Sequence, residues 1–425
     1  WDFSEDGTEM TFNLRKNVKF HNGDIMTAED VAYSLNEAIK SSAFTSRITG
    51  TMKSAEVIDE STVKLKLKHP SDSILQCLCS ASVMIVNKKA AQANFDGYGR
   101  QPIGTGPFKF IKWSTGEKIE FERFEEYFRG PAPIKNLTYR IITDTNIGPV
   151  ALENGEVDVL DYISTTEREN IMNNPNLQYY EITRGNFMLV GFNNEHGIFA
   201  NKKLRQAVAH AIDKEAVLLG AKDGIGNVLQ APMTTDCFGY PQDFKDNEYN
   251  PEKAKQLMAE AGYPNGFTVK LRCMETVTYT RPAEVVQDQL RQIGINVEIE
   301  KMERGAYLED VFRGCDYELT LFATATYVPD ADSVMYTRFH GSMKDVGDNF
   351  YRVDIPKLNK LLDEGKVSLD KEKRKEIYLK ACEVVRDEAL MVSLYEDMSS
   401  IAANKDLKGV NPHRISKYQV FNYSW

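Results

Sequence analysis

From Asn186 onward the 425-residue chain switches repeatedly between two hydrophobic periods, and this limits its fold more than any other feature. Residues 188–192 form an apolar run of strand length, after which Leu204, Val208, Ala211 and Ile212 recur at helical spacing. Asn250-Pro251 supplies an N-cap and a first-turn proline for a helix carrying Ala254, Leu257, Met258 and Ala261, which Gly262 ends. Residues 268–271 predict a strand, and 282–293 a helix opened by Pro282 and stopped by Gly294. Two more strands are expected over 295–299 and 317–323. Strands and helices taken in turn at this spacing pack as α/β layers.

The first half reads differently. Met10, Phe12 and Leu14 share one face of an alternating run, Val18 and Phe20 continue it, and Asn22-Gly23 makes a turn. Thr27-Ala28-Glu29-Asp30 has the form of a capping box, with Val31, Leu35 and Ile39 behind it at helical spacing. Val63, Leu65 and Leu67 alternate with Lys64, Lys66 and Lys68, which predicts a strand with one wet face. Gly104-Thr105-Gly106-Pro107 is a rigid turn before a strand at 108–111, and residues 118–124 form the next run. Strands are also expected at 137–142 and 157–160, with a short helix around Val150 ending before Gly155. No internal repeat or low-complexity tract interrupts this order, so ordered crossing strands must join the parts of a chain too long for one core.

Composition excludes several classes. The net charge of −10 argues against a phosphate-backbone binder, so no nucleic-acid partner is expected. No apolar run approaches the roughly 20 residues that span a bilayer. The six cysteines include one close pair, Cys77 and Cys79, whose spacing suits neither zinc nor a redox dithiol; scattered thiols and structural disulfides both remain open.

None of the six histidines sits at H-x-x-x-H spacing or beside a cysteine pair, so no metal site and no cofactor are expected. There is no nucleophile elbow and no phosphate-cradling glycine loop. Acidic pairs such as Glu125-Glu126 and Asp330/Asp332 are commonplace among 62 acids and read as solvated faces. The chain displays no catalytic constellation.

Several segments, in order, resemble the family-5 solute-binding proteins of ABC importers, which include oligopeptide-, dipeptide- and nickel-binding components. The longest begins Leu14-Arg15-Lys16-Asn17-Val18-Lys19-Phe20-His21-Asn22-Gly23 and runs to Val31. Asp59-Glu60-Ser61-Thr62-Val63, Gly104-Thr105-Gly106-Pro107-Phe108 and Asn154-Gly155-Glu156-Val157-Asp158 follow. Leu204-Arg205-Gln206-Ala207-Val208-Ala209-His210-Ala211-Ile212-Asp213-Lys214, Ala259-Glu260-Ala261-Gly262-Tyr263 and residues 290–297 complete the set, which covers essentially the whole chain.

The resemblance implies a two-lobed α/β clamp like the periplasmic binding proteins, class II-type, with an enlarged first lobe and hinge-crossing strands. Its lobes would be 1–185, with an extra subdomain to about 132, and 186–395, with 396–425 returning to the first. It also implies some tens of residues ahead of the position matching Trp1. The expected protein is a monomer that binds a small peptide or peptide-like ligand between its lobes and delivers it to an ABC permease. It would work outside the cytoplasm, periplasmic or lipid-anchored, and would not be an enzyme. The alternatives are a non-peptide cargo (a metal chelate, a sugar or an amino-acid conjugate) and, less favoured, a hydrolase.

Peptide-binding members pair an aspartate with the ligand's amino terminus; Tyr327 stands at that position here, and Leu321 where oligopeptide binders use a nearby arginine. Matched in the same way, Arg184 and Asn186 lie on the first crossing strand, Arg304 follows the strand at 296–299, and Asp397 lies on the last crossing segment. Tyr279 and Thr324 complete the candidate ligand set. Arginine suits a bidentate carboxylate contact, so Arg184 and Arg304 point to an acidic group on the ligand.

Overall fold

The computed structural model describes residues 1–40, 50–326, 328–345, 348–413 and 418–425. They divide into two units, one made of Trp1–Pro70, Cys77–Ile182 and Ser399–Trp425, the other of Ser71–Gln76 and Thr183–Met398.

In the first unit β1 (Asp2–Phe3), β2 (Glu9–Asn13), β3 (Met52–Asp59) and β4 (Thr62–Leu67) form an antiparallel sheet in the order β1-β2-β4-β3. Met10 lies opposite Leu65 and Phe12 opposite Val63, so the alternating pattern turns Met10, Val63, Leu65 and Leu67 inward. Lys64 and Lys66 point the other way and pair with Glu9 and Glu56 at 2.8 and 2.7 Å. The helix Ala28–Lys40 packs on β3 and buries Val31, Leu35 and Ala38. Its capping box forms only in part. Asp30 accepts from both the N–H and the hydroxyl of Thr27, each at 2.9 Å, and its other oxygen accepts from the Lys88 N–H at 2.9 Å.

A second antiparallel sheet contains β5 (Phe108–Ser114), β6 (Lys118–Arg123) and β7 (Asn136–Arg140). His21 ties the turn ahead of β5 to the first sheet's segment. Its backbone N–H donates to Gly104 O at 2.9 Å, Nε2 donates to Gly106 O at 2.9 Å, and Nδ1 accepts from the Gly104 N–H at 3.4 Å. That pattern requires a neutral imidazole. Burial is the main cause holding its pKa down, with Lys109 adding to it and the Gly106 bond opposing. β8 (Val159–Asp161) pairs with Ala403, Ala402 and Ile401, and a small core of Leu152, Leu160, Ile163, Ile171 and Ala402 forms there.

The second unit is built on β9 (Leu177–Phe192), β10 (Asn227–Val228), β11 (Phe267–Met274), β12 (Ile295–Met302), β13 (Leu319–Ala325) and β14 (Met391–Asn404). Their order is β10-β14-β9-β13-β11-β12. β11 runs parallel to β12 and β13, whereas β9 is antiparallel to β13. Met188, Val190, Leu319, Leu321, Val392 and Leu394 form one buried face with helices that supply Leu204, Val208, Ala254 and Leu290. Phe187, Leu189, Phe322 and Met391 form the other with Val334, Met335, Leu358 and Tyr378. Near-continuous apolar runs in β9 and β13 are what a sheet covered on both faces requires. β9 and β14 are 16 and 14 residues long, and the chain passes from one unit to the other within each. Gly185 stands three residues past the first passage at φ 68, a left-handed conformation suited to glycine.

Two features depart from the sequence reading. The helix expected to open at Pro282 begins at Val277, with Pro282 buried inside it. Proline forfeits one helix hydrogen bond there, and the packing of Thr280, Ala283, Val286 and Leu290 on the sheet offsets the loss. Ser71–Gln76 is the other, because it belongs to the second unit although both its flanks lie in the first. Asp72 there contacts Arg374 Nη1 at 3.1 Å. Among the described residues, no disulfide joins any of the six cysteines.

Candidate functional site

β14 sets the framework. Residues on a strand alternate, so Tyr395 and Asp397 share a face and Glu396 points away. Glu396 is fully buried and accepts from Asn227 Nδ2 at 2.7 Å, the Thr235 hydroxyl at 2.8 Å and the Thr235 N–H at 2.9 Å. Three neutral donors therefore hold the strand in register at this point.

Asp397 receives Lys222. Lys222 is the last residue of the helix Lys214–Lys222, which Asp223 ends in a left-handed conformation at φ 54. Its Nζ lies 2.7 Å from Asp397 Oδ1, and the two side chains are 21% and 19% exposed. Arg281 Nη2 reaches the Asp223 carboxylate at 3.4 Å.

Tyr279 lies in the first turn of the helix Val277–Arg291, half-buried and packed against both faces' cores. Burial raises its hydroxyl pKa; Arg304 opposes that shift and Asp397 adds to it. Arg304 and Asp397 thus act on the Tyr279 hydroxyl with opposite sign. Tyr395 is also pushed up, mainly by burial and further by Asp397, with Arg281 opposing. Arg304 opens the short turn Arg304–Tyr307 after β12 and is exposed. The preceding Glu303 is occupied by the Gly305 and Ala306 N–H groups. Among the described residues, Arg304 has no ion-pair partner.

Tyr279, Arg304 and Asp397 come from three separate elements and are related through the charges that act on the Tyr279 hydroxyl. Sequence reasoning missed Lys222 and Arg281 in the same cluster. A lysine ending a helix reads as a dipole complement. Arg281 is hidden in the sequence because Pro282, right after it, carries the local signal of a helix start, whereas the helix begins at Val277.

The other candidates lie on the β9–β13 ladder. Arg184 and Asn186 are half-buried on β9, and Asn186 is paired with Ala325. Thr324 is paired with Phe187, on the opposite sheet face from Asn186. Its hydroxyl accepts from Arg338 Nη2 at 2.6 Å, and the same nitrogen donates to Ala325 O at 2.7 Å. Arg338 is buried and lies 5.7 Å from the Phe187 ring centroid. Tyr327 lies outside the described residues.

Two surface cavities of the second unit, about 620 and 580 Å³, are lined elsewhere, around His210 and Arg386 and around Arg272 and Cys315. Among the described residues no cluster of His, Cys, Asp and Glu can hold a metal ion, and no helix is long and apolar enough to cross a membrane.

Residues 1–345 match the family described as bacterial extracellular solute-binding proteins, family 5. The chain belongs to that family. Its members act outside the cytoplasm. A 27% identical relative, heme-binding protein A of Haemophilus influenzae, aligns over 96% of this chain and 80% of its own length. Among solved structures, the periplasmic binding protein DppA of Helicobacter pylori in complex with the peptide STSA superposes with a TM-score of 0.87 at 27% identity. That alignment covers all of this chain and 88% of the other. The binding protein AgaA of A. tumefaciens, in complex with agropinic acid, gives 0.82 at 28% identity over 99% of this chain and 86% of its own. The two-lobed α/β fold of the family, with strands crossing between its parts, is therefore the fold of this chain.

Proposed function

We propose that this family-5 protein captures a small peptide or peptide-like ligand outside the cytoplasm and delivers it, as a monomer, to an ABC permease. It does so periplasmically or from a lipid anchor, and leaves the ligand chemically unchanged. The observation that carries the reading is the likeness, over all of this chain and 88% of the other, to a peptide-bound structure. The Tyr279–Arg304–Asp397 cluster supports it, since an aromatic face with fixed charges of both signs is suited to a small polar ligand. Arg184, Asn186, Thr324 and Tyr327 are proposed to complete the ligand contacts. A non-peptide cargo, such as an amino-acid conjugate, is the second reading. It is favoured by Tyr327 at the usual ammonium-anchoring position and by the relative holding agropinic acid.

Native and denaturing mass spectra of the freshly purified protein test the class directly. A released mass that fragments as a peptide supports the first reading, and a non-peptide mass the second. Arg184→Ala and Arg304→Ala are each expected to weaken an acidic ligand tenfold or more. Steady turnover of a peptide or ester panel, proportional to protein, would refute binding without chemistry.

A further inference from the structure

The larger cavity of the second unit, about 620 Å³, has the volume of a small-molecule site. Several of its charged walls are already matched within the protein. Lys214, 8% exposed, donates to Leu229 O at 2.9 Å and to the Asp246 carboxylate. Asp213 accepts from the Ala216 N–H at 3.1 Å, and Arg386 pairs with Asp387 at 2.9 Å. His210 differs. It lines the cavity, is 4% exposed, and has its Nδ1 2.8 Å from Glu248 O. A carbonyl only accepts, so Nδ1 carries the proton and Nε2 of the neutral ring keeps a lone pair. Nε2 has no hydrogen-bond partner among the described residues, and with Nδ1 held it is the ring nitrogen left for an occupant of the cavity. So far out of water, a bond to it competes little with solvent. Among the described residues no cluster of His, Cys, Asp and Glu can hold a metal ion, which leaves the lone pair for an N–H or O–H donor. Lys245 and Lys253 line the same cavity, as do Glu215 and Glu248, all four without an ion pair among the described residues. An anion would leave both glutamates unmet and a cation both lysines, whereas a zwitterion answers both signs. Ile212 and Val228 add an apolar wall.

We propose that this cavity is a second binding site, for a free α-amino acid with an aliphatic side chain. The ammonium of the amino acid donates to His210 Nε2, its carboxylate is met by Lys245 and Lys253, and its side chain rests on Ile212 and Val228. Every lining residue belongs to the second unit, so the site is independent of the ligand contacts proposed on the crossing strands.

The test is calorimetric titration of the whole chain with three probes: L-leucine, N-acetyl-L-leucine, which lacks the ammonium, and L-leucinamide, which lacks the carboxylate. L-Leucine is expected to bind, and each derivative about tenfold more weakly, the worth of one charge-assisted hydrogen bond. His210→Asn keeps an N–H for Glu248 O but removes the Nε2 acceptor, and should weaken L-leucine by about tenfold. Lys245→Ala combined with Lys253→Ala changes only exposed side chains and should weaken it by about three- to tenfold. That variant decides even where His210→Asn does not fold. If it leaves L-leucine binding unchanged, the amino acid sits elsewhere and the inference is wrong. No binding of L-leucine, or derivatives that bind as tightly, would overturn it as well.

Discussion

Replacing Arg374 with methionine would remove one partner of a buried ion pair while keeping most of the side chain's length. Arg374 and Asp330 are each about 1% exposed, joined by two bonds of 2.7 and 3.1 Å. Arg374 also reaches Asp72 at 3.1 Å and Gly365 O at 3.2 Å, and its guanidinium lies 4.8 Å from the Phe238 ring centroid. With the guanidinium gone, the remaining donor to Asp330 is the Asp332 N–H at 2.9 Å. A buried carboxylate stripped of its cation costs about 3–5 kcal/mol. For a unit of this size that is roughly 6–20 °C in Tm.

The assay separates the units, because all three tryptophans, Trp1, Trp113 and Trp425, lie in the first. Far-UV circular dichroism follows both units, whereas tryptophan fluorescence follows the first. Arg374→Met is expected to lower the dichroism transition by that amount and the fluorescence transition by much less. Adding Asp330→Asn removes the stranded charge but keeps a helix cap, and should restore a good part of the loss. A fall below about 1 kcal/mol in the single variant, or no rescue in the double, would refute the reasoning.

Two pH effects follow from the same kind of geometry. His21 is neutral in the fold and its pKa is lowered by burial, so the folded state binds fewer protons than the unfolded chain. First-unit stability should therefore fall as pH drops below about 6.5, read by tryptophan fluorescence during unfolding. An NMR midpoint for His21 at or above that value would contradict this. Asp332 is pushed up to about 6, by burial first and then by the Asp330 charge, against Lys366 and Arg374. Its folded pKa lies above its unfolded one, so stability is present at low pH and lost as pH rises through about 4 to 6. Asp332 is only half-buried, so screening limits the effect, and Asp332→Asn should stabilise the second unit by about 1–2 kcal/mol at pH 7 and by nothing at pH 3. Equal effects at both pH values would contradict the assignment.

Much of the fold was legible because local patterns and tertiary burial agree. Met10, Phe12, Val63, Leu65 and Leu67 alternate in the sequence, and Met10, Val63, Leu65 and Leu67 are buried in the structure. Asn250-Pro251 opens a helix as its chemistry demands, with Asn250 Oδ1 accepting from the Lys253 N–H at 3.0 Å. The family, too, was readable from motifs, and the structure shows why two of them go together: His21 of the first bonds Gly104 and Gly106 of another.

What the sequence by itself determined is the order of elements, the α/β class and the family, because each rests on residues close together along the chain. Tertiary structure alone decided the pairings between distant side chains. Asp72 meets Arg374 across 302 positions, and Lys222 meets Asp397 from the end of a helix onto a crossing strand. It also decided the start of the helix at Val277, where packing outweighs the local signal of Pro282 and brings Tyr279 and Arg281 to the same end. An ion pair leaves no periodic trace, since its energy depends on a distance that the fold sets and neither residue encodes alone.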